Sequence, residues 1–165
     1  MIWKHVTVAA VAAALVATAA PSSADTVRRK DPLGDAPASI DIASATYTHA
    51  DQHLRVVARI PDLGSRGTAA LSLSKFGIFE AGYVVQIRKR PGQPPRTRLL
   101  FFDHFDLRPR ACDDLTGTWR RQTVTLAVAR SCLTGHAQRR MFAQFGIQRG
   151  VEVDRAPAVT RLRRG

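Results

Sequence analysis

The chain has 165 residues, of which 45% are hydrophobic, and a formal charge of +12. This length accommodates one domain with a real core, and the apolar share excludes a wholly disordered chain. The cations are nearly all arginine and lie scattered rather than in one stripe, so they read as a solvated surface before they read as a polyanion site.

Residues 1–24 read as a secretory signal peptide. Lys4 supplies the positive start, "VTVAAVAAALVATAA" the apolar run, and Ser22 and Ala24 the small residues before a cut. A cut after Ala19 fits the same rule. The run is shorter than the roughly 20 residues a membrane span needs, and no later segment is long and apolar enough for one. The protein is therefore expected to be secreted, with no transmembrane segment after cleavage. Export makes Cys112 and Cys132 a disulfide pair.

Residues 25–37 are rich in charge, proline and small residues, and read as an extended lead-in. "DPLGDAPASIDI" places Asp31, Asp35 and Asp41 in a turn-rich stretch. Carboxylates at irregular spacing suit calcium, which takes six to eight oxygens, and Asp154 joins them if the last strand pairs near the first. The spacing is not that of an EF-hand. A plain proline-glycine turn is the competing reading.

Residues 38–159 read as short strands. "SIDIASATYTH" and "HLRVVARI" form a hairpin around Ala50-Asp51-Gln52, with Leu54, Val56, Ala58 and Ile60 inward and Arg55 and Arg59 outward. That register sets Ser44, Thr46 and Thr48 on the inner face and opposes His49 to His53, a weak metal pinch at best. "PDLGSRGT" is a turn. Leu71 and Leu73 share one side of the next strand, and Tyr83, Val85 and Ile87 one side of the strand after it. "RPGQPP" is a rigid exposed turn. "TRLLFFD" is apolar enough to be covered on both faces.

"DHFD" (Asp103, His104, Asp106) is the most enzyme-like cluster, although a triad also needs a nucleophile and an oxyanion site. Asp103 as a strand-ending turn residue is the simpler account. Next, Cys112 and Cys132 are equidistant from Gln122. A hairpin loop at 121–123 opposes them, pairs Asp114 with Arg130, and sets Thr116 and Thr118 beside Val128 and Leu126. Trp119 then points away from the Val124/Leu126/Val128 face, where an exposed indole could stack on sugar. Met141, Ala143, Phe145 and Ile147 make a late core strand, "RGVEVDRAPAV" adds an edge strand ended by Pro157, and residues 160–165 form a frayed basic tail.

About eight short strands, almost no helical periodicity and one disulfide predict an all-β antiparallel sandwich, jelly-roll or immunoglobulin-like. The chain carries no GxSxG, HExxH, P-loop, GxGxxG or zinc-ribbon pattern. Asp31, Gly34, Asp35, Asp41 and Ile42 at the front, the cysteine pair, and Asp154 with Pro157 resemble a group of small secreted actinobacterial proteins of unassigned function. Their layout is similar to the β-sandwiches of DOMON and family-9-like carbohydrate-binding modules. The resemblance implies that the acidic turn holds structural calcium. The chain departs from it in lacking a row of exposed aromatics for sugar and any heme-ligand pattern. The expected function is a secreted, non-catalytic binding or surface-associated module. The alternatives are a calcium-stabilised carbohydrate or cell-wall binding module, a hydrolase using His104, and a polyanion binder. Nucleic acid is disfavoured, because no aromatics interleave with the arginines.

Overall fold

The structure is a computed structural model and describes residues 24–75, 80–134 and 139–165. Apart from Ala24, the signal-peptide reading lies outside the described residues. Two antiparallel sheets pack face to face. The smaller contains β1 (Asp25–Lys30), β2 (Ser44–His49), β3 (His53–Arg59), β8 (Leu115–Arg120) and β9 (Thr123–Ala129), in the order β1-β2-β3-β9-β8. The larger contains β4 (Gly67–Lys75), β5 (Ala81–Lys89), β6 (Arg96–Asp103), β7 (Asp106–Arg110), β10 (Arg140–Arg149), β11 (Glu152–Arg155) and β12 (Val159–Arg163). Its order is β11-β10-β4-β5-β6-β7, and β12 also pairs with β10.

Period-two alternation builds the core. β3, β4, β5 and β10 turn in the apolar residues expected of them: Leu54, Val56, Leu71, Leu73, Tyr83, Val85, Ile87 and Phe145 are all buried. Leu99 and Leu100 are both buried, so β6 is covered on both faces there. The all-β sandwich and its single disulfide are as expected, but the expectation of eight strands falls short of the twelve described.

The additional strands include the first and the last described. Residues 25–30, expected as lead-in, pair along β2, and Val159–Arg163, expected to end in a frayed tail, pairs with β10. These two strands also meet each other: the Arg163 N–H donates to the Asp25 carboxylate at 2.8 Å. Both strands are charged and mostly exposed, so neither carries the apolar alternation that marks a strand in sequence.

Both hairpins of the smaller sheet close one residue tighter than expected. His49 pairs with Leu54 around Asp51-Gln52, and Arg120 pairs with Thr123 around Arg121-Gln122, where Arg121 takes a φ of 47°. A one-residue slip turns a whole strand over. Ala45, Tyr47 and His49 therefore face inward in place of Ser44, Thr46 and Thr48, and Trp119 joins the core opposite Val124. Burying a large apolar side chain is worth about 1.5–3 kcal/mol. Burial of Tyr47 and Trp119 therefore favours the observed registers over the longer loops.

Candidate metal centre

The loop from Asp31 to Ala43 connects β1 to β2 and caps one end of the core. Its ends are tied by the Asp31 N–H to the Ala43 carbonyl (3.2 Å), and Pro37 accepts from the Ile40 N–H (2.8 Å). Ile40 and Ile42 are fully buried, which fixes the loop to the sandwich. Gly34 takes a φ of 92°, a left-handed conformation that favours glycine, and its N–H donates to Asp41 Oδ2 at 2.8 Å. Asp41 is thus held with one oxygen on the turn.

The fourth carboxylate arrives from the other end of the sequence. Asp154 pairs with Ile147 on β10, which sets its side chain on the inner face of β11. Its Oδ2 accepts from the Ile42 N–H at 2.7 Å. One carboxylate oxygen from each of Asp35, Asp41 and Asp154 lies within 4.8 Å of the others. Asp41 is 8% exposed and Asp154 6%. Asp31 stands beside the group: burial, then the charges of Asp154, Asp35 and Asp41, push its pKa up to about 6. Burial also raises Asp154, opposed by hydrogen bonds from the Ile42 and Arg155 N–H groups and reinforced by Asp35 and Asp41.

Two oxygens in this corner, Asp31 Oδ2 and Asp41 Oδ1, are buried without a hydrogen-bond partner. Among the described residues no lysine or arginine forms a salt bridge to any of the four aspartates, in a chain with 25 lysines and arginines. Two like charges 4–5 Å apart repel by about 4 kcal/mol at an effective dielectric of 20. The donors are all oxygens, the ligand type that a hard cation takes. Of the four residues expected from sequence, Asp35, Asp41 and Asp154 are brought together, and Asp31 interacts with them electrostatically without joining the group. The unpartnered oxygens could not be read from sequence, because they depend on which hydrogen bonds the loop makes.

The other expected sites fare differently. Cys112 and Cys132 form the disulfide, with 5.5 Å between their Cα atoms. The short 3-10 turn Arg130–Cys132 returns Cys132 to its partner beyond the end of the ladder. Asp114 does not serve as the expected partner on the facing strand; its carboxylate meets His53 Nε2 at 2.7 Å.

Trp119, expected as an exposed sugar-stacking residue, is corrected. It is buried, with its Nε1–H donating to the Gly64 carbonyl at 2.8 Å. His49 and His53 are not opposed. His49 is fully buried against Leu162, with burial lowering its pKa, while His53 sits on the other face of the sheet. His104 tops the β6–β7 turn with a φ of 53°, its Nδ1 2.9 Å from Asp103, and both side chains are well exposed. Asp106 pairs with Arg108 instead. No family model, curated protein or solved structure matches this chain.

Proposed function

We propose that this protein is an exported, non-catalytic β-sandwich binding module whose N-terminal loop is locked by a calcium ion. The observation that carries the reading is the convergence of Asp35, Asp41 and Asp154, with Asp31 electrostatically coupled to them, without a cationic partner and with two buried oxygens unsatisfied. Buried polar atoms normally find partners, and an orphaned carboxylate oxygen asks for one. Calcium tolerates the irregular geometry of a loop, whereas magnesium demands near-ideal octahedral coordination and keeps its waters. The ion would tie the β1–β2 loop to β11, joining the two sheets at that corner. Export supports the reading as well, since extracellular calcium modules work at 10⁻⁴–10⁻³ M of the ion.

The hydrolase alternative draws less support. His104 and Asp103 stand on a solvent-exposed turn.

A thermal melt in EDTA, then in millimolar calcium, with magnesium as control, tests the proposal. An ion present at a hundred times its Kd stabilises by about 2.7 kcal/mol, a midpoint rise of roughly 10 °C for a domain this size. A calcium-specific rise is expected. Superimposed curves would overturn the reading.

A further inference from the structure

The outward face of the larger sheet carries arginines, glutamines and small residues. Pair registers place its side chains in rows that cross the strands. One row runs from Gln148 through Thr68 and Arg88 to Arg96; the next runs from Arg155 through Gly146, Ala70 and Gln86 to Arg98. The row after it holds Gln144, Ser72, Val84 and Leu100. None of the outward residues of β4, β5, β6, β10 or β11 is acidic.

Three features suggest a ligand. First, Arg88 and Arg96 are directly opposed on neighbouring strands, and like charges so placed destabilise a sheet. Among the described residues neither forms a salt bridge, and neither do Arg98 and Arg155. Second, the face is hollowed. A depression of ≈ 160 Å³ lies over Ala70, Ser72 and Gly146, where side chains are small. It shares Gln86 with a depression of ≈ 340 Å³ bounded by Arg88, Arg96 and Arg98. Third, the polar groups are of two kinds. The amides of Gln86, Gln144 and Gln148 both donate and accept, as hydroxyl groups require, whereas the guanidinium groups bind carboxylates in a bidentate fork. Gln86 already holds Arg98 by its Nε at 2.8 Å, which orients the fork.

We propose that this face binds an acidic polysaccharide, with a neutral ring over Ala70, Ser72 and Gly146 and a uronate carboxylate on Arg88, Arg96 and Arg98. The inference deepens the binding-module reading and supplies its ligand class, but it does not need the calcium site. From β10 to β6 is three strand spacings, about 14 Å, so the trough takes more than one ring. Single-stranded nucleic acid fits less well. The aromatics of this face, Phe142 and Phe102, lie in the row of Ser74 and Gly82, six residues along the strands from Arg88 and Arg96 and four from Arg98. That is about 20 Å and about 13 Å, farther than a base lies from its own phosphate.

The test titrates the full protein with hyaluronate and with short oligogalacturonate, against neutral dextran and an oligothymidylate of equal charge. Binding to at least one uronate glycan, tighter than to oligothymidylate and absent with dextran, is expected. R88Q/R96Q should weaken it at least tenfold. Q144A, which removes no charge, should weaken it several-fold. R120Q/R121Q, on the other sheet, should leave it unchanged. No uronate binding, equal loss in R120Q/R121Q, or preference for oligothymidylate would overturn the proposal. Repeating the titration in EDTA separates the two readings. Uronate binding without any calcium effect on the melt would sink only the calcium site, and the converse would sink only this face.

Discussion

Asp154 and Arg155 are neighbours on β11, yet they serve opposite regions. Alternation along the strand sends Asp154 inward to the acidic corner and Arg155 outward to the basic face. The corner collects three carboxylates, with Asp31 coupled to them, without a cationic partner, and the face collects arginines without an acid. The two charges are kept apart by one sheet's thickness and never cancel. Solvent explains why both survive. The arginines are exposed and screened, so their repulsion costs little. Asp31 and Asp154 are partly desolvated, and burial, then the neighbouring carboxylates, raises their pKa values. Regions of like charge are therefore not equivalent: the buried one is a constraint on stability, and the exposed one is a surface free to attract.

The contrast breaks most sharply at Asp154. D154N keeps an oxygen that can accept from the Ile42 N–H but removes the charge, so the loop stays pinned while the ion loses its best-buried ligand. The calcium-dependent rise should vanish, a loss of about 2.7 kcal/mol at hundredfold excess over the wild-type Kd. In EDTA the same variant should melt at or above the wild type, because one repulsive charge is gone. A variant that melts lower in EDTA yet keeps its calcium response would show that Asp154 is only a hydrogen-bond acceptor for the loop.

How much of this could be read in advance depended on what each residue reports locally. The acidic set was legible because aspartates in a proline-glycine turn have few structural uses. The expected pairing of the last strand near the first does not occur: β11 pairs with β10 in the other sheet, and Asp154 reaches the loop at the Ile42 N–H. The inner faces of β3, β4, β5 and β10 were legible because their alternation is clean. Trp119 and Tyr47 were not. Their orientation hangs on whether a hairpin loop has two residues or three, and nothing in "ADQ" or "RQT" decides that. The close packing of Gly117 fixes it in space: a Cβ there would stand 2.2 Å from Thr97 Oγ1, so β8 can present only glycine at that inward position. The basic face was illegible for another reason. Its members lie on five strands between Thr68 and Arg155, and only the sheet order assembles them.

Proton binding gives a smaller effect that sharpens the same comparison. Asp31 holds its proton up to about pH 6 when folded, against an ordinary value of 3.8. Between those values the folded state binds more protons, so this group's contribution to stability falls as pH rises through the window. His49 works the other way. Its folded pKa lies below the ordinary 6.5, so the unfolded chain takes the proton first, and stability is lost as pH drops beneath that value. D31N isolates the first term. In EDTA its midpoint should gain on the wild type as pH is raised from 4 to 6 and stay ahead at pH 7. In calcium the order at pH 7 should reverse. Parallel melting curves across this range would mean that neither burial nor the other carboxylates shift Asp31.

The smallest effect belongs to the basic face. Arg88 opposes Arg96 across the β5–β6 pair, and both are exposed. Replacing Arg88 by glutamine removes a cross-strand repulsion and should stabilise the free protein by roughly 0.2–1 kcal/mol, less at high salt. The gain should disappear in 1 M salt, where the Debye length shrinks to about 3 Å. Calcium should leave it untouched, because Arg88 lies on the outward face and the aspartates on the other side of the sheet. The sign is the informative part. A residue that stabilises the fold when removed is held in place by something other than folding, and on this face an anionic ligand is the account that its geometry supports. If R88Q destabilises by a kilocalorie or more at every salt concentration, Arg88 has a structural role in the sheet, and the arginines cease to argue for a binding face.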